Sequence, residues 1–187
     1  MISTQHIANE NRYMDMIRQM LDASNGALDW LVISVDDAEV IGRLEGAMAS
    51  VESAALLAVP EANWSHDEAA LHESVAWALE TALVAKLVVV GASTAEAGDV
   101  ASARSAPGLT SSRFGRVLQS ASEAARQRRQ SQERFTQRAS ALLGLPKVQE
   151  QIEAKQLSFL ALFYRDDSQT FAAYDPSTGT LVPLQGP

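Results

Sequence analysis

Short apolar runs alternate along this chain with longer amphipathic stretches. Residues 5–22 place Ile7, Tyr13, Ile17, Met20 and Leu21 at near-helical spacing and stop at Ser24-Asn25-Gly26, a turn sequence with a glycine that tolerates left-handed backbone. The spacing predicts an N-terminal helix over 5–22. Trp30-Leu31-Val32-Ile33 is apolar on every position, as in a strand buried on both faces, and polar residues Ser34, Asp36 and Asp37 gather where it ends. Residues 39–50 read as a helix and residues 54–59 as a second strand halted by Pro60. Ser65-His66-Asp67-Glu68 has the S-x-x-E spacing of a capping box, which predicts that Ser65 opens a helix with Leu71, Val75, Ala78, Leu79 and Ala82 inward. Leu87-Val88-Val89-Val90 is the third strand, followed by a loop rich in glycine and alanine.

Residues 111–143 then carry a helical pattern with Phe114, Val117, Leu118, Ala121, Ala125, Phe135, Ala139 and Leu142 apolar, the arginines and glutamines outward, and one break expected within it. Gly144-Leu145-Pro146 closes that segment and opens another helix, Pro146 suiting its first turn. Residues 157–164, 170–174 and 180–184 read as strands joined by turns at Arg165-Asp166-Asp167-Ser168 and Asp175-Pro176-Ser177-Thr178-Gly179. Helices alternating with apolar strands, then a run of hairpins, give an α/β fold: a mainly parallel central sheet, antiparallel C-terminal edge strands and flanking helices. At 187 residues and 47% hydrophobic, the chain supports one core, and a single domain over 1–187 is expected.

Charge and composition narrow the function. The formal net charge of −8 argues against a nucleic-acid surface, which needs clustered lysines and arginines. Arg126, Arg128, Arg129, Arg134 and Arg138 lie in a helical pattern beside Glu123 and Glu133 and read as a solvated face. No run approaches the roughly 18 apolar residues of a membrane span, and the start lacks the order of a secretory signal, so a cytoplasmic protein is expected. The chain has no cysteine, which removes disulfides, thiolate metal sites and cysteine nucleophiles, and it offers only His6, His66 and His72 as imidazoles. His66 and His72 stand six residues apart, not the i, i+3 or i+4 spacing that places two side chains on one helix face. Ser34, Ser93 and Thr94 have no adjacent histidine and acid to activate them as nucleophiles.

Several ordered segments resemble the β-carbonic anhydrases. Ser74-Val75-Ala76-Trp77-Ala78-Leu79 followed by Val88-Val89-Val90-Gly91 is similar to that family's helix S-L-E-Y-A-V leading to V-V-V-x-G-H-S-x-C-G. The stretch from Gln151 to Leu157, then Tyr174-Asp175-Pro176-Ser177-Thr178-Gly179-Thr180-Leu181, resembles its closing helix, strand and Y-D-x-x-T-G-x-V. Asn11-Arg12-Tyr13 and residues 31–40 resemble its first helix, strand and C-x-D-S-R loop. The resemblance implies the family's fold and an oligomer, a dimer or higher, in which the N-terminal helix is a packing arm.

It also implies where zinc would sit, and the residues there are the wrong ones. The two cysteine ligands fall on Ser34 and Ala95 and the histidine ligand on Ala92; the loop aspartate is kept as Asp36, while its serine is Asp37 and its arginine Ala38. Zinc lowers the pKa of bound water from 15.7 to about 7, about 12 kcal/mol of hydroxide stabilisation at 1.36 kcal/mol per unit, which methyl groups do not supply. The expectation is a protein without metal or cofactor: a catalytically inactive homologue serving as a structural, regulatory or assembly subunit, linked to inorganic-carbon metabolism, self-associating or paired with an active paralogue. The alternative is a repurposed enzyme in which Asp36 is the base and Asp37 or Glu96 its partner, with Asp99 nearby, since ligands of open α/β sheets bind at the carboxyl edge.

Overall fold

The computed structural model describes residues 12–24, 26–51, 53–93 and 113–184. Helix α1 (Arg12–Ala23) leads into β1 (Trp30–Val35), α2 (Ala38–Met48), β2 (Ala54–Val59), the short α3 (Glu61–Trp64), α4 (Glu68–Thr81) and β3 (Lys86–Ala92). After it come α5 (Arg113–Leu143), α6 (Pro146–Glu153), β4 (Ser158–Arg165), β5 (Thr170–Asp175) and β6 (Thr180–Pro183). The strands form one six-stranded sheet in the order β2-β1-β3-β4-β5-β6, parallel as far as β4 and antiparallel from β4 to β6. This is the mixed α/β sheet that the hydrophobic pattern predicts.

Handedness places the helices. The chain moves from β1 outward to β2, then back past β1 to β3 and on to β4, so right-handed crossovers put α2 on one face and α4 with α5 on the other. The central strands are apolar for this reason: in β1, Leu31, Val32, Ile33 and Val35 are all buried, and in β3 so are residues 87–90. On α5, Phe135, Ala139 and Leu142 form the buried stripe, and the Phe135 ring centroid lies 5.4 Å from that of Phe163 in β4. On α6, Val148 is buried and the Gln151 side-chain amide donates to the Leu79 carbonyl at 2.7 Å, tying α6 to the end of α4. The turn before β6 follows its sequence: the Ser177 amide and hydroxyl both donate to Asp175 Oδ1, at 2.9 and 2.7 Å, and Gly179 takes φ +68°.

The N-terminal helix is seen from Arg12, and positions 5–11 of its predicted span lie outside the described residues. Three local expectations are corrected. The capping box does not form: Ser65 has helical backbone angles (φ −70°, ψ −28°) as the C-cap of α3, whereas an N-cap serine is typically extended, and α4 opens after Asp67. The Asp67 carboxylate instead accepts from Arg12 Nη2 and the Tyr13 hydroxyl at 2.6 and 2.8 Å, a tertiary use that local spacing does not show. Helix α5 runs 31 residues without a break, because its alanines, glutamines, arginines and glutamates are strong helix formers and Gly115 alone costs only about 1 kcal/mol. Finally, Ala125 is exposed and Arg138 is buried. Arg138 donates to Glu61 at 2.7 Å and lies 5.0 Å from the Trp64 ring, so α3, absent from the pattern reading, recruits it inward.

Candidate functional site

The carboxyl ends of β1 and β3 meet beside the start of α2. Parallel register sets Ser34 opposite Val90 and Ala92 opposite Tyr164, so Ser34, Val90, Ala92 and Tyr164 share one face of the sheet. Gly91 faces the other way. A Cβ on Gly91 would stand 2.3 Å from Phe135 Cδ2, so only glycine fits beneath that ring. Ser34 is fully buried, and its hydroxyl donates to the Val35 carbonyl at 3.0 Å. Ala92 contributes a buried methyl group.

Above that face the polar chemistry belongs to α2 and β4. The Tyr164 hydroxyl donates to Glu39 Oε1 at 2.5 Å, and Arg43 Nη2 reaches the same oxygen at 3.0 Å with its guanidinium carbon 5.1 Å from the Tyr164 ring. The tyrosine hydrogen bond, with help from Arg43, holds the Glu39 carboxyl below its ordinary value. The same bond raises the Tyr164 phenol, since ionised Tyr164 would face the carboxylate without a proton to share. One strand-end further, the Ser93 amide donates to the Tyr164 carbonyl at 2.9 Å and its hydroxyl to Asp166 Oδ1 at 2.6 Å, while the Asp166 amide donates back to that hydroxyl at 3.0 Å. Ser93 is thereby a buried clasp between β3 and the turn after β4. Arg128 of α5 holds the neighbouring Asp167 at 3.0 Å.

The acids singled out in the sequence sit differently. Asp37 is the N-cap of α2, one oxygen accepting from the Glu39 and Val40 amides at 3.0 Å each. Asp36 is exposed, and its amide donates to the Val59 carbonyl at 3.0 Å. Glu96, Asp99, Thr94 and Ala95 lie outside the described residues. His72 lies 3.8 Å from Glu68, one turn away, and partial burial lowers its pKa; His66 is exposed. Tyr164, Glu39, Arg43 and Asp166 were missed by sequence reasoning. The Glu39/Arg43 pair carried a readable i, i+4 signal, but nothing local pointed from Tyr164 to a helix 125 residues earlier.

These residues do not suit zinc. Two of the three positions that the resemblance assigns to ligands are a hydroxyl already donating to the main chain and a methyl group, where zinc needs imidazole nitrogen, thiolate sulfur or carboxylate oxygen. Among the described residues, no three histidine, aspartate or glutamate side chains converge on a common point.

The fold is that of the β-carbonic anhydrases. The chain superposes on the wild-type β-carbonic anhydrase CafD of Aspergillus fumigatus with a TM-score of 0.52 at 15% identity, over 79% of this chain and 89% of that one. For the β-carbonic anhydrase CcaA the TM-score is 0.51 at 18% identity, over 94% and 86%. A structure from a report on two tetrameric β-carbonic anhydrases of Sordaria macrospora gives 0.50 at 15%, over 91% and 93%. No protein-family model matches the chain, and no curated protein matches it by sequence. Similarity at this identity carries the architecture, and the architecture puts Ser34 and Ala92 at the strand ends described above.

Proposed function

We propose that this chain is a non-catalytic relative of the β-carbonic anhydrases that acts by association, as a structural, regulatory or assembly subunit. The observation that carries this reading is the pairing of an intact scaffold with Ser34 and Ala92 at its strand ends: the Phe135 ring still closes over Gly91, while the neighbouring positions offer no metal donor. Without a metal, hydration of carbon dioxide lacks the roughly 12 kcal/mol by which zinc stabilises hydroxide near neutral pH. The tetrameric assembly named for the Sordaria macrospora enzymes supports association as the retained property. Use of the strand-end carboxylates as a general acid and base has less support, because Asp37 already caps α2 through its carboxylate.

Elemental analysis of protein purified without added metal, run beside a carbon dioxide hydration assay, tests the reading. The expected result is less than one-tenth equivalent of zinc and no hydration above the buffer rate. Stoichiometric zinc accompanied by hydration would sink it.

A further inference from the structure

Helix α5 concentrates the positive charge of an acidic protein. Over Arg113–Leu143 it carries seven arginines, no lysine and two glutamates, a formal charge of +5, while the rest of the chain holds eight lysines and arginines against twenty-one acids, −13. The helix itself gains nothing from this arrangement. Its first turn carries Arg113 and Arg116 and no acid, opposite to what the macrodipole favours, and Arg126 and Arg129 repel each other one turn apart. The fold then holds these charges out. Helix α5 links the carboxyl end of β3 to α6 and the amino end of β4, and Phe135 stands over Gly91, the second-last residue of β3, so the turns before it run past the strand ends. From Ser131 onward one side of the helix is buried, whereas from Ser122 to Gln130 no residue is. Ser122, Ala125, Arg126, Arg129, Gln130 and Glu133 follow i, i+3, i+4 spacing and are all exposed, which makes them one open face. Three other arginines are engaged: Arg128 with Asp167 at 3.0 Å, and Arg138 and Arg134 with Glu61 at 2.7 and 3.7 Å. Among the described residues Arg126 and Arg129 have no such partner.

We propose that this face of α5 docks an acidic helix of a different protein, carboxylates one turn apart meeting Arg126 and Arg129 while the two backbones approach over Ala125. Arginine without lysine suits that partner: protein interfaces are enriched in arginine and depleted in lysine, and the planar guanidinium takes a carboxylate through two parallel hydrogen bonds. A lipid surface fits less well, because residues 122–134 hold nothing apolar larger than alanine to enter a bilayer. A nucleic acid also fits less well, since the same stretch has no aromatic ring to stack on a base and the −13 of the remaining chain repels phosphate. A second copy docking through its own α5 would set arginine against arginine. The proposal names the partner chemistry of the associating subunit and rests on that reading.

The probe is a synthetic alanine-rich helix of about 20 residues with glutamates at i, i+4 spacing, set beside its glutamine counterpart. The glutamate helix is expected to bind the full chain at least about tenfold more tightly than the glutamine one at low salt, and to lose about tenfold as the ionic strength rises from about 0.05 to about 0.3 M. Replacing both free arginines, Arg126→Gln with Arg129→Gln, should cost about tenfold in that affinity, whereas Lys147→Gln with Lys155→Gln, the same charge change on and just after α6, should cost less than about twofold. Hydrogen exchange on the unmodified chain gives a second reading that needs no variant: the amides of residues 122–130 slow when the glutamate helix is added. Equal losses from the two double variants, or exchange unchanged over 122–130, overturn the α5 face. Tighter binding to phosphatidylserine vesicles or to a DNA duplex than to the glutamate helix overturns the acidic-helix partner, and so does a chain that self-associates through Arg126 and Arg129. Failure of the glutamate helix to bind a zinc-free, inactive chain overturns this docking alone and leaves the non-catalytic reading standing. Hydration activity with stoichiometric zinc in a chain that binds the helix as expected overturns the non-catalytic reading alone.

Discussion

At the end of β3 two consecutive residues face opposite sides of the sheet, and their surroundings differ in kind. Gly91 lies under the Phe135 ring, itself packed on Phe163, so that side is closed to a single extra methyl group. Ala92 faces Tyr164, Glu39 and Arg43, where the contacts are hydrogen bonds and an ion pair at the start of α2. Packing constrains the first residue whatever the protein does, because an interior at crystal-like density has no room to give. Ala92 is buried as well, but the described side chains on its face are held by polar pairs. The two faces of this strand end are therefore held by different physics, close packing on one and hydrogen bonding on the other.

The packed face should be the costlier one to disturb. Phe135→Ala removes the ring that bridges Gly91 and Phe163 and is expected to destabilise by about 3–5 kcal/mol in chemical denaturation; a loss under about 1 kcal/mol would mean that the face is not packed as described. Gly91→Ala comes next, at about 1–3 kcal/mol, since the added methyl displaces the ring. The two sites touch, so combining Gly91→Ala with Phe135→Leu should recover part of that loss, and strict additivity in the double-mutant cycle would contradict the contact.

The smallest effect belongs to the polar face and is read from its pH dependence. The folded state holds the Glu39 carboxyl below its ordinary value, so its contribution is fully present above the usual carboxylate range and fades as pH falls through the lowered value. For Tyr164 the shift is upward, and the contribution present below the ordinary phenol value fades as pH rises through the raised one. Tyr164→Phe should therefore flatten both limbs of the melting-temperature profile by lowering it slightly around neutral pH, where both contributions are present, and should converge with the unmodified protein at the acid and alkaline ends. Parallel acid limbs in the two proteins would show that the Tyr164 to Glu39 hydrogen bond does not act in solution.

Much of the architecture is legible in the order of residues because its cause is local. Runs such as Leu87-Val88-Val89-Val90 have only one comfortable place, the middle of a covered sheet, and Asp175-Pro176-Ser177-Thr178-Gly179 folds its turn through its own side chains. Composition alone, with no cysteine and alanine at position 92, already removes the thiolate and imidazole donors there. What the chain order conceals are choices between partners of similar local merit. Asp67 accepts from Arg12 and Tyr13 across more than fifty residues in place of a capping box, and Arg138 turns inward to Glu61 where periodicity places it in solvent. The Tyr164, Glu39 and Arg43 group assembles only when β4 lies beside β3 under α2. Patterning decides which segments seek the interior. The pairing of polar groups waits for the fold, since each is satisfied by whichever neighbour the packed elements bring within reach.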